Sequence, residues 1–233
     1  MDRLFIAESM GVSFWGNAVL KSASVWASPG QVTAVMGRNG SGKTTLFRAA
    51  LGLVRREFGT VKFRNETFLN PRLHRLSSLG LFYLPDRGLL SRRRTLGWHL
   101  SVLRRRFQQQ ARDLLPPPLG TEALLGKTVW EMSGGEERRA ELALAWTRRP
   151  SCLLADEPLA GLAPKDQEVV SGVIRTMADE GCAVVVTGHD VRPLMELSDQ
   201  IIWMVAGTTH GVGSPADATG HDQFRREYLG PGD

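Results

Sequence analysis

The sequence predicts an α/β fold built on a mainly parallel sheet. Two observations predict it. Apolar, β-branched runs recur as "QVTAVM" (31–36), "SCLLAD" (151–156), "CAVVVT" (182–187) and "IIWMV" (201–205). Near-continuous apolarity marks strands covered on both faces, as in a parallel sheet. Helical patterns lie between these runs, and strands alternating with helices define the class.

Each element has a local reason. The helix expected over "PKDQEVVSGVIRTMADEG" has Pro164 suited to a first turn and Gly181 suited to the stop. Val170, Val173, Ile174 and Met177 line its apolar face. The segment from about 87 to 149 differs. It is rich in arginine, shows no clear strand and carries "PPP" at 116–118 as a linker or sharp turn. It reads as a mainly helical subdomain inserted into a sheet core of about 1–86 and 150–233, the whole chain forming a single domain.

Composition narrows the class. The 233 residues are 42% apolar and 23% charged, ordinary for a globular protein with a substantial core. No apolar run approaches the ~20 residues of a membrane span. The opening "MDRLFIAESMG" carries Asp2 and Glu8 and lacks the apolar core of a signal peptide, so a cytoplasmic protein is expected. Cys152 and Cys182 show no metal-ligand pattern and read as reduced, packed thiols. Net charge is +5, and eight arginines with no carboxylate fall between Arg87 and Arg112. Such a run suits a solvated face, anionic lipid or an acidic partner. No aromatic-interleaved RNA motif or zinc pattern accompanies it, so nucleic acid is not expected.

The chemistry begins at "GRNGSGKT", Gly37 to Thr44, which matches G-x-x-x-x-G-K-[ST]. It follows an expected strand and opens an expected helix, the context this motif requires. Its glycines let backbone N–H groups wrap phosphates, and the helix N-terminus adds partial positive charge. Lys43 is expected to reach the β- and γ-phosphates and the Thr44 hydroxyl to ligate Mg²⁺. "LLADEP" then ends a buried strand with Asp156 and Glu157. Beside a phosphate loop they acquire roles: Asp156 holding Mg²⁺ through a water, Glu157 polarising the attacking water.

A third motif is "MSGGEERRAELALAW" (132–146). Ser133 and Glu136 form a capping box, which explains a helix start. The box does not explain Gly134 and Gly135, which are poor helix formers. A serine and two glycines at a helix start make a second anion-binding end. One nucleotide does not easily serve both devices within one chain.

With "GRNGSGKTT", "MSGGE", "CLLADEP" and "TGHD" in that order, the sequence resembles the ATP-binding subunits of ABC transporters over nearly its whole length. The resemblance implies a P-loop NTPase with a RecA-like core, an N-terminal antiparallel β region and an inserted α-helical subdomain. It implies ATP bound by Gly37, Arg38, Asn39, Gly40, Ser41, Gly42, Lys43, Thr44 and Thr45, facing Ser133, Gly134 and Gly135 of a second subunit. That is a head-to-tail dimer, homo- or heteromeric, with two sandwiched ATPs. It implies His189 as the switch histidine at the γ-phosphate and Phe14, with Trp15 as the alternative, stacking on adenine. It further implies permease partners and a peripheral position on the cytoplasmic face of the inner membrane. "EPLAGLAPKD" and "REYLG" look like the ATPases of branched-chain amino-acid importers and of lipopolysaccharide export.

Two positions depart from the family pattern. Asp86 stands where the family has a glutamine that ligates Mg²⁺; its carboxylate is also an oxygen donor. Uncompensated, a second negative charge at ~4 Å and an effective dielectric of ~20 costs about 4 kcal/mol. Ala163 stands where the family has an aspartate at the dimer interface. The alternatives are a non-transport ABC ATPase and a non-hydrolysing regulator. Lys43 and Ser133 are 90 residues apart with no heptad run between them, which disfavours the DNA-repair relatives.

Overall fold

The computed structural model describes residues 3–108, 111–112 and 115–229. Asp2 of the opening segment and Gly230 of the closing motif lie outside them. The described residues form a ten-stranded mixed sheet with helices on both faces.

The N-terminal strands β1 (Phe5–Phe14) and β2 (Asn17–Ala27) make an antiparallel hairpin, with β4 (Phe58–Phe63) on the outer edge of β1 and β5 (Glu66–Phe68) beyond it. The hairpin turns through Trp15 and Gly16, at φ +49° and +81°. Positive φ at both positions matches the twist of the flanking strands, although a tryptophan there is conformationally strained.

The parallel core comprises β3 (Val32–Met36), β6 (Leu81–Leu84), β7 (Cys152–Ala155), β8 (Ala183–Gly188) and β9 (Gln200–Val205), in spatial order β9-β3-β8-β7-β6. Strands β3, β7 and β8 are buried at every residue, as their unbroken apolar runs require. The return strand β10 (Thr208–Gly213) joins this core to the antiparallel strands: it pairs antiparallel with β9 and parallel with β2.

Alternate residues of β3 enter two different cores. Val32, Ala34 and Met36 pack with Val170, Val173, Ile174 and Met177 of α5 (Pro164–Asp179). Val35 packs on the other face with Leu46 and Phe47 of α1 (Lys43–Ala50). Between β6 and β7 lie α3 (Leu96–Arg106), several short 3₁₀ turns and α4 (Gly134–Arg148). The triple proline contributes one of those turns, Pro117–Leu119. This stretch has its own small core of Leu90, Leu96, Leu100, Leu124, Val129, Ala140 and Leu144.

Both cysteines are free and buried, and burial raises the proton affinity of each thiol. They are inert packing groups. No helix among the described residues is long and apolar enough to cross a membrane.

Candidate nucleotide site

The register of the parallel strands decides where the chemistry gathers. Met36 pairs with Gly188, Ala155 with Val186, and Leu84 with Ala155. Four neighbouring strands therefore end together. The segments after them carry Gly37–Thr44, His189, Asp156–Glu157 and Asp86. In open α/β sheets the carboxyl ends of the strands are where ligands bind.

The loop after β3 is shaped by backbone constraints. Gly40 and Gly42 adopt φ +82° and +110°. A Cβ on Gly37 would lie 2.5 Å from Ser41 Oγ and 2.6 Å from the Met204 carbonyl oxygen. A Cβ on Gly42 would meet Met204 and Leu20 within 3 Å. Only glycine permits this path. The buried Ser41 hydroxyl has no hydrogen-bond partner among the described residues.

Lys43 is 4% exposed, and its ammonium donates to the carbonyls of Gly37 (2.7 Å) and Arg38 (3.3 Å). It also pairs with Glu157 Oε1 at 3.2 Å. The other oxygen of Glu157 is 2.9 Å from His189 Nδ1. Lys43, Glu157 and His189 thus form one chain of contacts. Glu157 sits in the left-handed region at φ +47°, which is costly for a residue with a Cβ. Its N–H donates to Thr187 Oγ1 at 2.9 Å, holding the strained turn.

Asp156 is fully buried. Its Oδ1 accepts from Thr187 Oγ1 (2.7 Å) and Thr44 Oγ1 (3.2 Å), and its Oδ2 from the Tyr83 hydroxyl (3.4 Å). Burial raises its affinity for a proton; the two threonine hydroxyls oppose the shift, and the charges of Asp86 and Glu157 reinforce it. The site therefore concentrates negative charge in a poorly solvated place. The Tyr83 hydroxyl is held in its neutral form by burial and then by Asp156.

The capped helix start forms as the motif suggests. Ser133 caps α4, accepting from Glu136 N–H at 3.2 Å, while Glu136 Oε2 accepts from Ser133 N–H at 2.8 Å. Such a cap is worth about 1 kcal/mol. Ser133 and Gly134 are exposed, as are Arg38, Asn39 and Gly40 of the first loop. Gly135 has a packing reason as well: a Cβ there would lie 2.5 Å from Asp166 Oδ2.

Other expected residues fall as follows. Thr45 lies in the first turn of α1. Phe14 and Trp15 sit at the hairpin turn, 37% and 98% exposed, with ring centroids 6.3 Å apart. Ala163 occupies the N-cap of α5 and offers no side-chain bond there. Of the eight arginines, Arg87, Arg92, Arg93, Arg94, Arg105 and Arg106 are exposed. Arg112 does have an acidic partner: it forks onto Glu180, which follows α5 and is far off in sequence.

Several contributors were invisible in the sequence. Thr187 sits inside the quoted "TGHD", yet nothing local reveals that it touches both Asp156 and Glu157. The closing segment also reaches the site: Arg38 donates to the Glu227 carbonyl at 3.3 Å. Arg38, Asn39, His189, Val191, Glu227 and Tyr228 line a cavity of about 330 Å³.

Glu141 on α4 gives a pH prediction. It is 2% exposed, and burial pushes its carboxyl up to about 7 against the opposing charge of Arg138. A carboxyl raised on folding favours the folded state below its unfolded pKa, and that contribution is lost as pH rises through the folded one. The window is therefore from about 4.5 to about 7. A shift of this size corresponds to about 3 kcal/mol. Chemical denaturation at pH 5 and pH 8 should show wild type losing about that much more stability than Glu141→Gln. Parallel pH profiles for the two proteins would refute the assignment.

Comparison with known proteins agrees with this fold. The ABC transporter family profile matches residues 20–160, more than half of the chain. The lipopolysaccharide export ATP-binding protein LptB of Haemophilus influenzae is 28% identical, covering 97% of each chain. The zinc import ATP-binding protein ZnuC of Halorhodospira halophila is 31% identical over 99% of this chain and 86% of its own. Among solved structures, the ADP conformation of an ATP-binding cassette of an ABC transporter superposes with a TM-score of 0.83 at 19% identity, covering 99% of this chain and all of that one. A nucleotide-free cassette gives 0.80 at 18% identity, covering 99% and 96%. These glycine-shaped loops and strand-end carboxylates lie on an ABC cassette fold, and the chain belongs to the ABC transporter ATP-binding family.

Proposed function

We propose that this ATPase drives a membrane permease from the cytoplasmic face of the inner membrane, as one half of a head-to-tail dimer that sandwiches two ATPs. One observation carries the reading. The glycine-loop segment Arg38–Gly40 and the capped helix start Ser133–Gly134 are both left exposed, and each suits an anion. A second subunit, a copy or a related chain, supplies the missing half to each.

The residues fit MgATP. Glycines at 37 and 42 let the loop after β3 pack closely on Ser41, Met204 and Leu20, a path whose backbone N–H groups suit phosphate. Thr44 and Asp156, whose oxygens lie 3.2 Å apart, offer hard oxygen donors of the kind Mg²⁺ takes alongside phosphate oxygens. When bound, Mg²⁺ would neutralise charge developing on the β- and γ-phosphate oxygens.

Within the chain, Lys43 is the movable charge. It is paired with Glu157, and phosphate oxygens compete for the same ammonium. Transfer of Lys43 to phosphate frees Glu157 Oε1 to take a proton from water. His189, at Glu157 Oε2, keeps the carboxylate oriented during that transfer. Thr187 fixes the turn that aims it. Adenine is assigned to the Phe14–Trp15 corner, where the open faces of Trp15 make it the stronger stacking partner of the two.

The exposed arginines are assigned to the permease side. Arg92 lies over Trp130 and Arg94 over Trp98, both at 5.1 Å. Exposed charge interactions are screened over ~8 Å at physiological salt. Detergent-solubilised permease should therefore co-purify with the tagged wild-type chain at low salt. It should be lost on raising salt and on replacing Arg92, Arg93 and Arg94 with alanine. Retention under both conditions would remove the arginines from the interface. Absence of any integral-membrane partner at low salt would count against the transport reading itself.

A further inference from the structure

A buried ion pair on α4 has no part in the chemistry above, yet it grips the loop that carries Asp86. Arg138 and Glu141 are 8% and 2% exposed and lie 3.1 Å apart, one helical turn from each other. Arg138 Nη1 donates to the Pro85 carbonyl at 2.9 Å, and Nη2 donates to the Asp86 carbonyl. Glu141 Oε1 accepts from Leu89 N–H at 3.2 Å. Both ends of the 85–89 loop are thus fastened to one helix through backbone atoms.

A buried ion pair is poor evidence for stability, because desolvation consumes most of its Coulombic gain. What it supplies is geometry, since a guanidinium fork fixes direction as well as distance. The pair's position makes that geometry consequential. Arg138 is three residues beyond Gly135, about 4.5 Å along the axis of α4. Asp86 lies at the end of β6, and its charge acts on both Asp156 and Glu141. The pair therefore stands between the start of α4 and the carboxylates at the strand ends.

We propose that Arg138 and Glu141 are positioning residues: together they clasp the Asp86 loop to α4, so that the Asp86 carboxylate and the Ser133–Gly135 helix start move as one unit. The proposal rests on the reading of Asp86 as a group that meets Mg²⁺ in the ATPase site. It goes beyond that reading in naming what places Asp86. It also gives Arg138 a task that lysine cannot perform, since an ammonium cannot present the same planar fork to two carbonyls and a carboxylate.

The test compares Arg138→Lys, Glu141→Gln and Glu141→Ala in the full chain, each first shown to unfold cooperatively. Hydrogen exchange is read on the peptides covering 85–90 and 133–137 without nucleotide. Glu141→Gln keeps an acceptor and should leave Leu89 protected. Glu141→Ala should raise exchange there about tenfold, and Arg138→Lys should loosen both peptides together. The second readout is the Mg²⁺ concentration for half-maximal ATPase. It should rise about tenfold in Arg138→Lys. In an Asp86→Ala background Arg138→Lys should add no further change, because the group it positions is gone.

Exchange confined to one peptide in Arg138→Lys, or unchanged exchange at 85–90 in folded Glu141→Ala, overturns the clasp. Additive effects of Arg138→Lys and Asp86→Ala on the Mg²⁺ requirement overturn the link to Asp86. An inactive wild-type enzyme would instead defeat the reading of the site, while the exchange experiment would still decide the clasp.

Discussion

Glu157→Gln should bind ATP and fail to turn it over, with steady-state hydrolysis lower by about 10²-fold or more. The substitution keeps the size of the side chain and an oxygen for the Lys43 contact. It removes the basicity that would accept a proton from water. The geometry adds a second expectation of definite sign. In the wild type Glu157 Oε1 is 3.2 Å from the Lys43 ammonium and competes with phosphate for it. A neutral glutamine competes less, so ATP affinity should rise or stay level, not fall. Turnover is measured at saturating MgATP and affinity by equilibrium binding. Near-wild-type turnover would remove Glu157 as the base. A loss of affinity as large as the loss of rate would make its role structural.

Much of this site was legible in the sequence because its parts are backbone-driven and local. A glycine loop between an apolar strand and a helix has few other uses, and the structure shows why its glycines cannot change. Gly42 is at φ +110° against Met204 and Leu20, and Gly37 is wedged against a carbonyl. The buried strands were legible for the same reason, since burial on both faces leaves an unbroken apolar run. The helix start at Ser133 could be read from four consecutive residues.

What could not be read depends on strand register and on contacts distant in sequence. Thr187 meets Asp156 only because β7 and β8 lie side by side with their ends aligned. Arg138 and Glu141 look like ordinary charges in a polar helix, "EERRAE", with nothing to mark two of them as buried. Their task appears only when the 85–89 loop folds over them. The arginine run shows the opposite error of a local view. Arg112 seems unpaired along the chain, yet Glu180 reaches it from 68 positions away. Charge counted along a sequence overstates free charge wherever a fold returns an acid to it.

The proposed dimer yields the most discriminating experiment, because the two lesions belong to opposite ends of one subunit. Ser133→Arg places a bulky cation where a backbone should approach phosphate. It should damage the partner's site and leave its own Gly37–Thr44 loop able to bind nucleotide. Lys43→Ala has the reverse lesion: it spoils its own loop, where the ammonium is buried beside Glu157, and leaves its α4 start intact. Each variant alone should lose nearly all ATPase activity, since every site in its homodimer carries one lesion. Mixing them should yield heterodimers with one doubly damaged site and one intact site, and hydrolysis should partly recover. The recovery also reports on Ala163. Ala163 at the N-cap of α5 offers no side-chain bond, so the proposed interface would lack the aspartate contact that the family resemblance implies there. Weaker communication between sites favours turnover by a single intact one. Subunit exchange is verified with distinguishable tags, and one-site turnover with a heterodimer of wild type and Lys43→Ala. If heterodimers form and that control is active, yet the Ser133→Arg and Lys43→Ala mixture stays inactive, Ser133 does not act on the partner's nucleotide and the sandwich is wrong for this chain.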